Sequence, residues 1–182
     1  SLAGHKFGGP KGVGLLYVPR EIELEPVVHG GGQELGRRSG THNVAAIVGM
    51  VGAMEATVRT REETRARLAA IRDRFEAELV ARVPEVEITG GAAPRLVQHS
   101  HVRIPGVPAE TLLIRLDQGG VAAAAGSACN SGAIDVSHVL AAMGMGETEA
   151  GECVRFSFGW ASGSDDATTA AERVAAIAVE LQ

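Results

Sequence analysis

No apolar run in this 182-residue chain approaches the length of a membrane span, which takes about 20 residues, and no signal peptide pattern is visible. No membrane partner is therefore expected. An excess of positive charge is also missing. Seventeen basic against 22 acidic residues give a net charge of −5, so the general footprint of a nucleic-acid binder is absent and no direct nucleic-acid contact is expected. Cysteine is scarce. Cys129 and Cys153 are the only two, too few for a disulfide framework, and both read as reduced thiols of a cytoplasmic protein. Internal repeats and low-complexity linkers are lacking too. What is present is a globular composition, 45% hydrophobic, with enough length to bury a substantial core as one domain, or one domain and part of another.

Four segments carry chemistry. In Ala125-Gly126-Ser127-Ala128-Cys129-Asn130-Ser131-Gly132 a thiol is flanked on both sides by small residues. Such a run suits either a reactive cysteine on a loop or a small residue in a tight turn. In Gly4-His5-Lys6-Phe7-Gly8-Gly9-Pro10-Lys11-Gly12 a lysine stands between a histidine and a glycine-rich turn. It is either a solvated side chain or the attachment point of a carbonyl cofactor through a Schiff base, with glycines that let a ligand approach. The run from His29 to Asn43 combines three consecutive glycines, Arg37, Arg38 and Ser39-Gly40-Thr41 ahead of an apolar helix. It offers an anion site at a helix start, or a plain N-cap at Thr41 or Asn43. Finally, Cys153-Val154-Arg155-Phe156-Ser157-Phe158 alternates like a strand with one wetter face. Arg155 on that face would fork onto a carboxylate ligand or pair with one of the chain's own acids.

In this order and spacing, the four segments resemble the C-terminal half of the cysteine desulfurases, fold-type I enzymes of the class V aminotransferase superfamily. The matching stretches are Gly-His-Lys, Gly-Gly-Gly-Gln-Glu, Arg-Ser-Gly-Thr, Gly-Ser-Ala-Cys, Ser137-His138-Val139-Leu140-Ala141-Ala142-Met143-Gly144 and Val-Arg-Phe-Ser. The resemblance implies an α/β fold, the end of a large cofactor-binding domain over residues 1–91 and a small α/β domain over residues 92–182. It implies pyridoxal 5'-phosphate as cofactor, held covalently by Lys6, with His5 and Thr41 at its phosphate. Lys6 would also move the substrate's α proton. Thr41 would reach the phosphate bound in the neighbouring subunit, so a homodimer is implied. Arg155 would bind the carboxylate of L-cysteine. Cys129 would take the sulfur as a persulfide, leaving alanine, and pass it to an acceptor such as an iron–sulfur scaffold, where its sulfur would transiently ligate a nascent cluster. The alternatives are a selenocysteine lyase or another pyridoxal-phosphate enzyme of the superfamily, and a non-catalytic docking or dimerisation module.

Three positions depart from the family pattern: Ala3 replaces a phosphate-binding serine, Leu35 an arginine, and Trp160 an arginine found in some members. The half of the family's sequence that precedes the lysine motif has no counterpart here. The chain is therefore expected to be a piece of a longer enzyme and inactive alone.

The remaining pattern is of alternating elements. A strand is expected over residues 13–18. A helix follows over 44–58, with Ile47, Val48, Val51 and Met54 on one face. A second helix covers 62–83, with Leu68, Ile71, Phe75 and Leu79 at core spacing, and ends at Pro84. Strands are expected over 86–89, 99–104 and 121–125, and helices over 108–117 and 136–143. A last helix is capped by Ser164, with Asp165 and Asp166 in its first turn. His99 and His101 alternate on one strand face. Two histidines without further ligands make a poor metal site. Cys153 reads as a small buried hydrophobe.

Overall fold

The computed structural model describes residues 1–125 and 137–182. They form two compact units, Ser1–Arg61 and Glu62–Gln182.

In the first unit, β1 (Leu2–Ala3) and β2 (Gly14–Leu15) pair antiparallel, Leu2 opposite Leu15 and Ala3 opposite Gly14. The ladder is shorter than the strand expected over residues 13–18. Residues 19–43 form a long loop interrupted by a 3-10 turn at Gln33–Gly36, and helix α1 (Val44–Arg82) begins behind it.

Two helices were expected where α1 runs unbroken for 39 residues. The stretch between them holds no glycine or proline. Thr57 and Thr60 each return their hydroxyl to the carbonyl four residues back, at 2.8 Å to Ala53 and 3.1 Å to Ala56. That bond satisfies each hydroxyl locally, at a slight cost that a helix without glycine or proline in this stretch absorbs. The inward face of the first stretch also differs from expectation. Met50 is buried, with Ile47 and Met54 half-buried beside it, whereas Val48 and Val51 are exposed. Positions 47, 50 and 54 share one helical face; 44, 48, 51 and 58 share the next, and only the former is covered within this unit.

The second unit is a three-stranded antiparallel sheet, order β3-β4-β5, with helices on its apolar face. The strands are β3 (Glu87–Ile88), β4 (His99–Arg103) and β5 (Cys153–Ser157). Between β4 and β5 come α2 (Ala109–Gln118), α3 (His138–Ala142) and α4 (Glu147–Ala150), and α5 (Ser164–Leu181) closes the chain. Leu68, Ile71, Phe75 and Leu79 of α1 are all buried, as their spacing predicts. They pack with Val102 and Ile104, with Val154 and Phe156, with Leu112 and Leu116 of α2, and with Ala171 and Val174 of α5. Phe75 lies at the centre, its ring 4.8 Å from that of Phe156 and 5.6 Å from that of Phe158.

Two further expectations need correcting. Residues 121–125 make a single bridge, Ala124 to Arg155, and not a strand; a run of alanines offers little side-chain area to hold a ladder together. At the start of α5 the capping position is Gly163, not Ser164. Asp166 reaches back to accept the Gly163 N–H at 2.8 Å, so the acid supplies the cap that the serine was expected to give.

Candidate active site

Lys6 lies in a 3-10 turn, Gly4–Phe7, that joins β1 to β2. The turn closes on itself: the Gly4 N–H donates to Val13 O and the Gly9 N–H to Gly4 O, both at 2.9 Å. A Cβ on Gly4 would meet Val13 Cγ1 at 3.0 Å and Pro10 O at 3.1 Å. The absence of a side chain at Gly4 therefore serves the chain's own packing, where the sequence suggested room for a ligand. Pro10 rests against α1 at Gly49, where a Cβ would come within 2.8 Å of its ring. The Thr57 hydroxyl lies 3.4 Å from the Phe7 carbonyl. Glycine in mid-helix thus lets the lysine turn seat on α1.

The His5 and Lys6 side chains are exposed within this unit, and neither makes a hydrogen bond among the described residues. Thr41 is likewise exposed and unbonded. The reason is local. Asn43, not Thr41, caps α1: its Oδ1 accepts the Ala46 N–H at 3.1 Å. Of the two residues able to cap, the nearer one does so, and the threonine hydroxyl remains free for another acceptor or donor. A primary amine and an imidazole, adjacent in one turn and both unengaged, are a donor set that fits a carbonyl cofactor with a phosphate tail.

The loop ahead of Thr41 is braced from within. Ser39 Oγ donates to Gly31 O at 2.6 Å, Gln33 Oε1 accepts the Gly40 N–H at 3.1 Å, and His42 Nε2 lies 3.0 Å from Glu34 Oε1. None of these three braces was legible in the glycine-rich pattern, because each joins residues seven or eight apart across a folded loop. The bracing carries a cost. Glu34 and Leu35 adopt left-handed backbone, φ 52° and 59°, and Leu35 is 91% exposed. Leu35→Gly is therefore expected to stabilise the first unit by about 1 kcal/mol, since a side chain in this region costs about 1–2 kcal/mol. Leu35→Arg, the residue of the family pattern, should bring no such gain. Thermal unfolding of both variants checks this.

In the second unit Arg155 occupies the middle of β5. It stands opposite His101 of β4, and its backbone bonds Ala124 on the other side, at 3.0 and 2.7 Å. Alternation sends Val154 and Phe156 into the core and places Cys153, Arg155 and Ser157 on the other face, with His99, His101 and Arg103 beside them. Most charges on that face are paired. Arg103 Nε bonds Glu152 at 2.8 Å, and its Nη1 lies 3.1 Å from Glu149 and 3.2 Å from Glu87. Arg155 is different. Among the described residues no carboxylate lies within ion-pair distance of it, and its Nε is buried without a hydrogen-bond partner. Such an orphan costs roughly 1–3 kcal/mol, and strand-end pairing with an acid is not what Arg155 does here.

His99 Nδ1 is 3.0 Å from Ser157 Oγ. Burial, and then the charge of Arg155, lower the pKa of both His99 and His101. Among the described residues no group of three or more His, Cys, Asp or Glu could hold a metal ion. Cys153 is a free, buried thiol, as expected. Its S–H donates to Glu149 O at 3.2 Å, and burial pushes its pKa up. A thiol so placed is a poor nucleophile. Cys129 falls in residues 126–136, outside the described residues. Among the described residues no helix is long and apolar enough to cross a membrane.

Sequence reasoning named the members of this face and missed their pairing. His101 was visible as half of an alternating pair, but its partner Arg155 lies 54 positions away, and only the β4–β5 register joins them.

The aminotransferase class-V family profile matches residues 1–169. A cysteine desulfurase of Gluconacetobacter diazotrophicus is 42% identical over 158 residues, which is 87% of this chain and 40% of that protein. An IscS-like cysteine desulfurase of Mycobacterium tuberculosis is 42% identical over 173 residues, 94% of this chain and 44% of that protein. Among solved structures, a NifS-like protein superposes with a TM-score of 0.83 at 30% identity, covering 96% of this chain and 44% of its own. The chain thus spans about two-fifths of the length of the curated relatives it matches. The fold is that of the fold-type I pyridoxal-phosphate enzymes, and the chain belongs to the class-V aminotransferase family, in the pyridoxal-phosphate-dependent group that includes the cysteine desulfurases.

Proposed function

We propose that this chain is part of a cysteine desulfurase, which takes sulfur from L-cysteine, releases L-alanine and holds the sulfur as a persulfide on Cys129 for an acceptor. One observation carries this reading: the family match runs over residues 1–169, a span that holds Lys6, Thr41, Cys129 and Arg155 together, and the relatives at 42% identity bear that name.

Pyridoxal 5'-phosphate supplies an electron sink for the substrate's α-carbon when it is bound. The chain's own residues do the rest. The Lys6 amine holds the cofactor covalently and takes and returns a proton at the substrate α-carbon. His5 and Thr41 hold phosphate oxygens, Thr41 those bound in the partner subunit of a homodimer. Arg155 takes the substrate carboxylate, a role supported by its lack of any acidic partner among the described residues. The Cys129 thiolate attacks the substrate sulfur. An S–S bond forms as the substrate C–S bond breaks, and the carbon so released takes up a proton to leave as alanine. The acceptor is a protein such as an iron–sulfur scaffold, with Cys129 as transient ligand of the nascent cluster, and the enzyme works in the cytoplasm. Residues 1–91 and 92–182 correspond to the end of the large domain and the small domain in the same reading.

Borohydride reduction of the whole enzyme carrying this chain, followed by peptide mass mapping, tests it. A phosphopyridoxyl group on Lys6 is expected. A cofactor-loaded enzyme with Lys6 unmodified after reduction would overturn the assignment.

A further inference from the structure

We propose that His101 is a substrate-binding residue, and that its imidazole and the Arg155 guanidinium together take one carboxylate of a small amino-acid ligand. This rests on the assignment of Arg155 to the substrate carboxylate and adds to it a second donor, on another strand.

The geometry is set by the sheet. His101 and Arg155 are directly opposed in the β4–β5 register, so their side chains leave the same face of neighbouring strands. Opposed Cβ atoms in an antiparallel pair lie about 5 Å apart, close enough for two donors to share a carboxylate. Yet the two do not bond one another: His101 Nδ1 and Arg155 Nε are each buried and each without a partner. Two facing groups left in the same condition by the same face are best satisfied by one acceptor between them.

The charged neighbours and the Cys153 thiol on that face are already engaged; Thr89, whose N–H donates to His101 O, keeps its Oγ1 buried and without a partner beside the pair. On β4, His99 is closed off by its contact with Ser157 Oγ of β5, and Arg103 is saturated by Glu87 of β3, Glu149 of α4 and Glu152. On β5, the Cys153 thiol donates to Glu149 O. Beyond Arg155 the bridging residue is Ala124, whose methyl group fills little space. No acid of the described chain reaches the pair, so an external anion has no internal competitor there.

Charge selects the ligand class. Burial and the Arg155 charge both lower the pKa of His101, so the pair carries one positive charge near neutral pH. That matches a carboxylate rather than a doubly charged phosphate. A neutral imidazole donates through Nδ1–H. A bound carboxylate also favours its protonated form, so carboxylate affinity rises as pH falls towards the histidine's own range.

The test uses the complete pyridoxal-phosphate enzyme, with 3-mercaptopropionate as a thiol bearing a carboxylate and cysteamine as a thiol without one. His101→Leu is expected to raise the KM for L-cysteine and the Kd for 3-mercaptopropionate about tenfold. It should leave kcat within about twofold and cysteamine binding unchanged. His101→Asn keeps a donor and should bind 3-mercaptopropionate nearly as well as wild type, with affinity flat between about pH 5.5 and 8. Equal weakening of both thiols, wild-type affinity in His101→Leu, or retained pH dependence in His101→Asn would overturn the proposal. Arg155→Met separates the two levels. If it leaves 3-mercaptopropionate binding intact, the role of Arg155 itself falls. If it weakens binding while His101→Leu does not, only the role of His101 falls.

Discussion

Phe75→Ala is expected to destabilise the unit Glu62–Gln182 by about 3–5 kcal/mol, the usual cost of removing a large buried aromatic ring. Phe75 is 0% exposed and stands where α1 crosses the apolar face of the sheet. Its ring touches those of Phe156 and Phe158, contacts worth about 0.5–1.5 kcal/mol each beyond the area they bury. The chain has only four phenylalanines, and three of them meet here, so no other ring is at hand to fill the hole. A single domain has only about 5–15 kcal/mol of stability in all. The variant should therefore lose about 2 M from its urea midpoint, taking a slope of about 2 kcal/mol per M. Phe75→Leu, which keeps most of the volume, should cost about 1.5 kcal/mol. Circular dichroism through a urea titration measures both. A loss below 1 kcal/mol for Phe75→Ala would mean that the ring is not central to the core.

Cys129→Ser is expected to lower alanine release from L-cysteine by at least about a thousandfold in the complete enzyme, the scale of losing a covalent nucleophile. A serine hydroxyl is not ionised near neutral pH and cannot form the S–S bond on which the proposed transfer depends. The visible absorbance of the bound cofactor should be unchanged, because covalent attachment is assigned to Lys6. Cys153→Ser is the control. That thiol is buried and donates to Glu149 O, so turnover per folded molecule should stay near wild type. Trapping the persulfide with an alkylating reagent and mapping the peptide reads the outcome directly. Wild-type alanine release by Cys129→Ser, or a persulfide found on Cys153, would remove Cys129 from the role. Trials with selenocysteine separate the lyase alternative: activity on selenocysteine but not on cysteine would favour it.

The sequence determined the family and the inward faces of the second unit. Lysine, threonine, cysteine and arginine motifs in a fixed order are local strings of residues, and a local string survives without knowledge of the fold. So does the spacing of Leu68, Ile71, Phe75 and Leu79, because helical periodicity is carried by neighbours three and four apart. Tertiary structure decided the rest. Thr41 and Asn43 are both competent caps by sequence; which one bonded Ala46 depended on where α1 began. The break expected after residue 58 is absent because the stretch 58–62 holds no glycine or proline to interrupt the helix. Val48 and Met50 are equally apolar, and only the packing of the first unit put Met50 inside. Above all, the pairing of His101 with Arg155, and the absence of any acid from Arg155 among the described residues, were set by strand register. Register is a long-range property: a slip of one residue in β5 would send Arg155 to the opposite face from His101. No pattern within either strand could state which residue of the other it would meet.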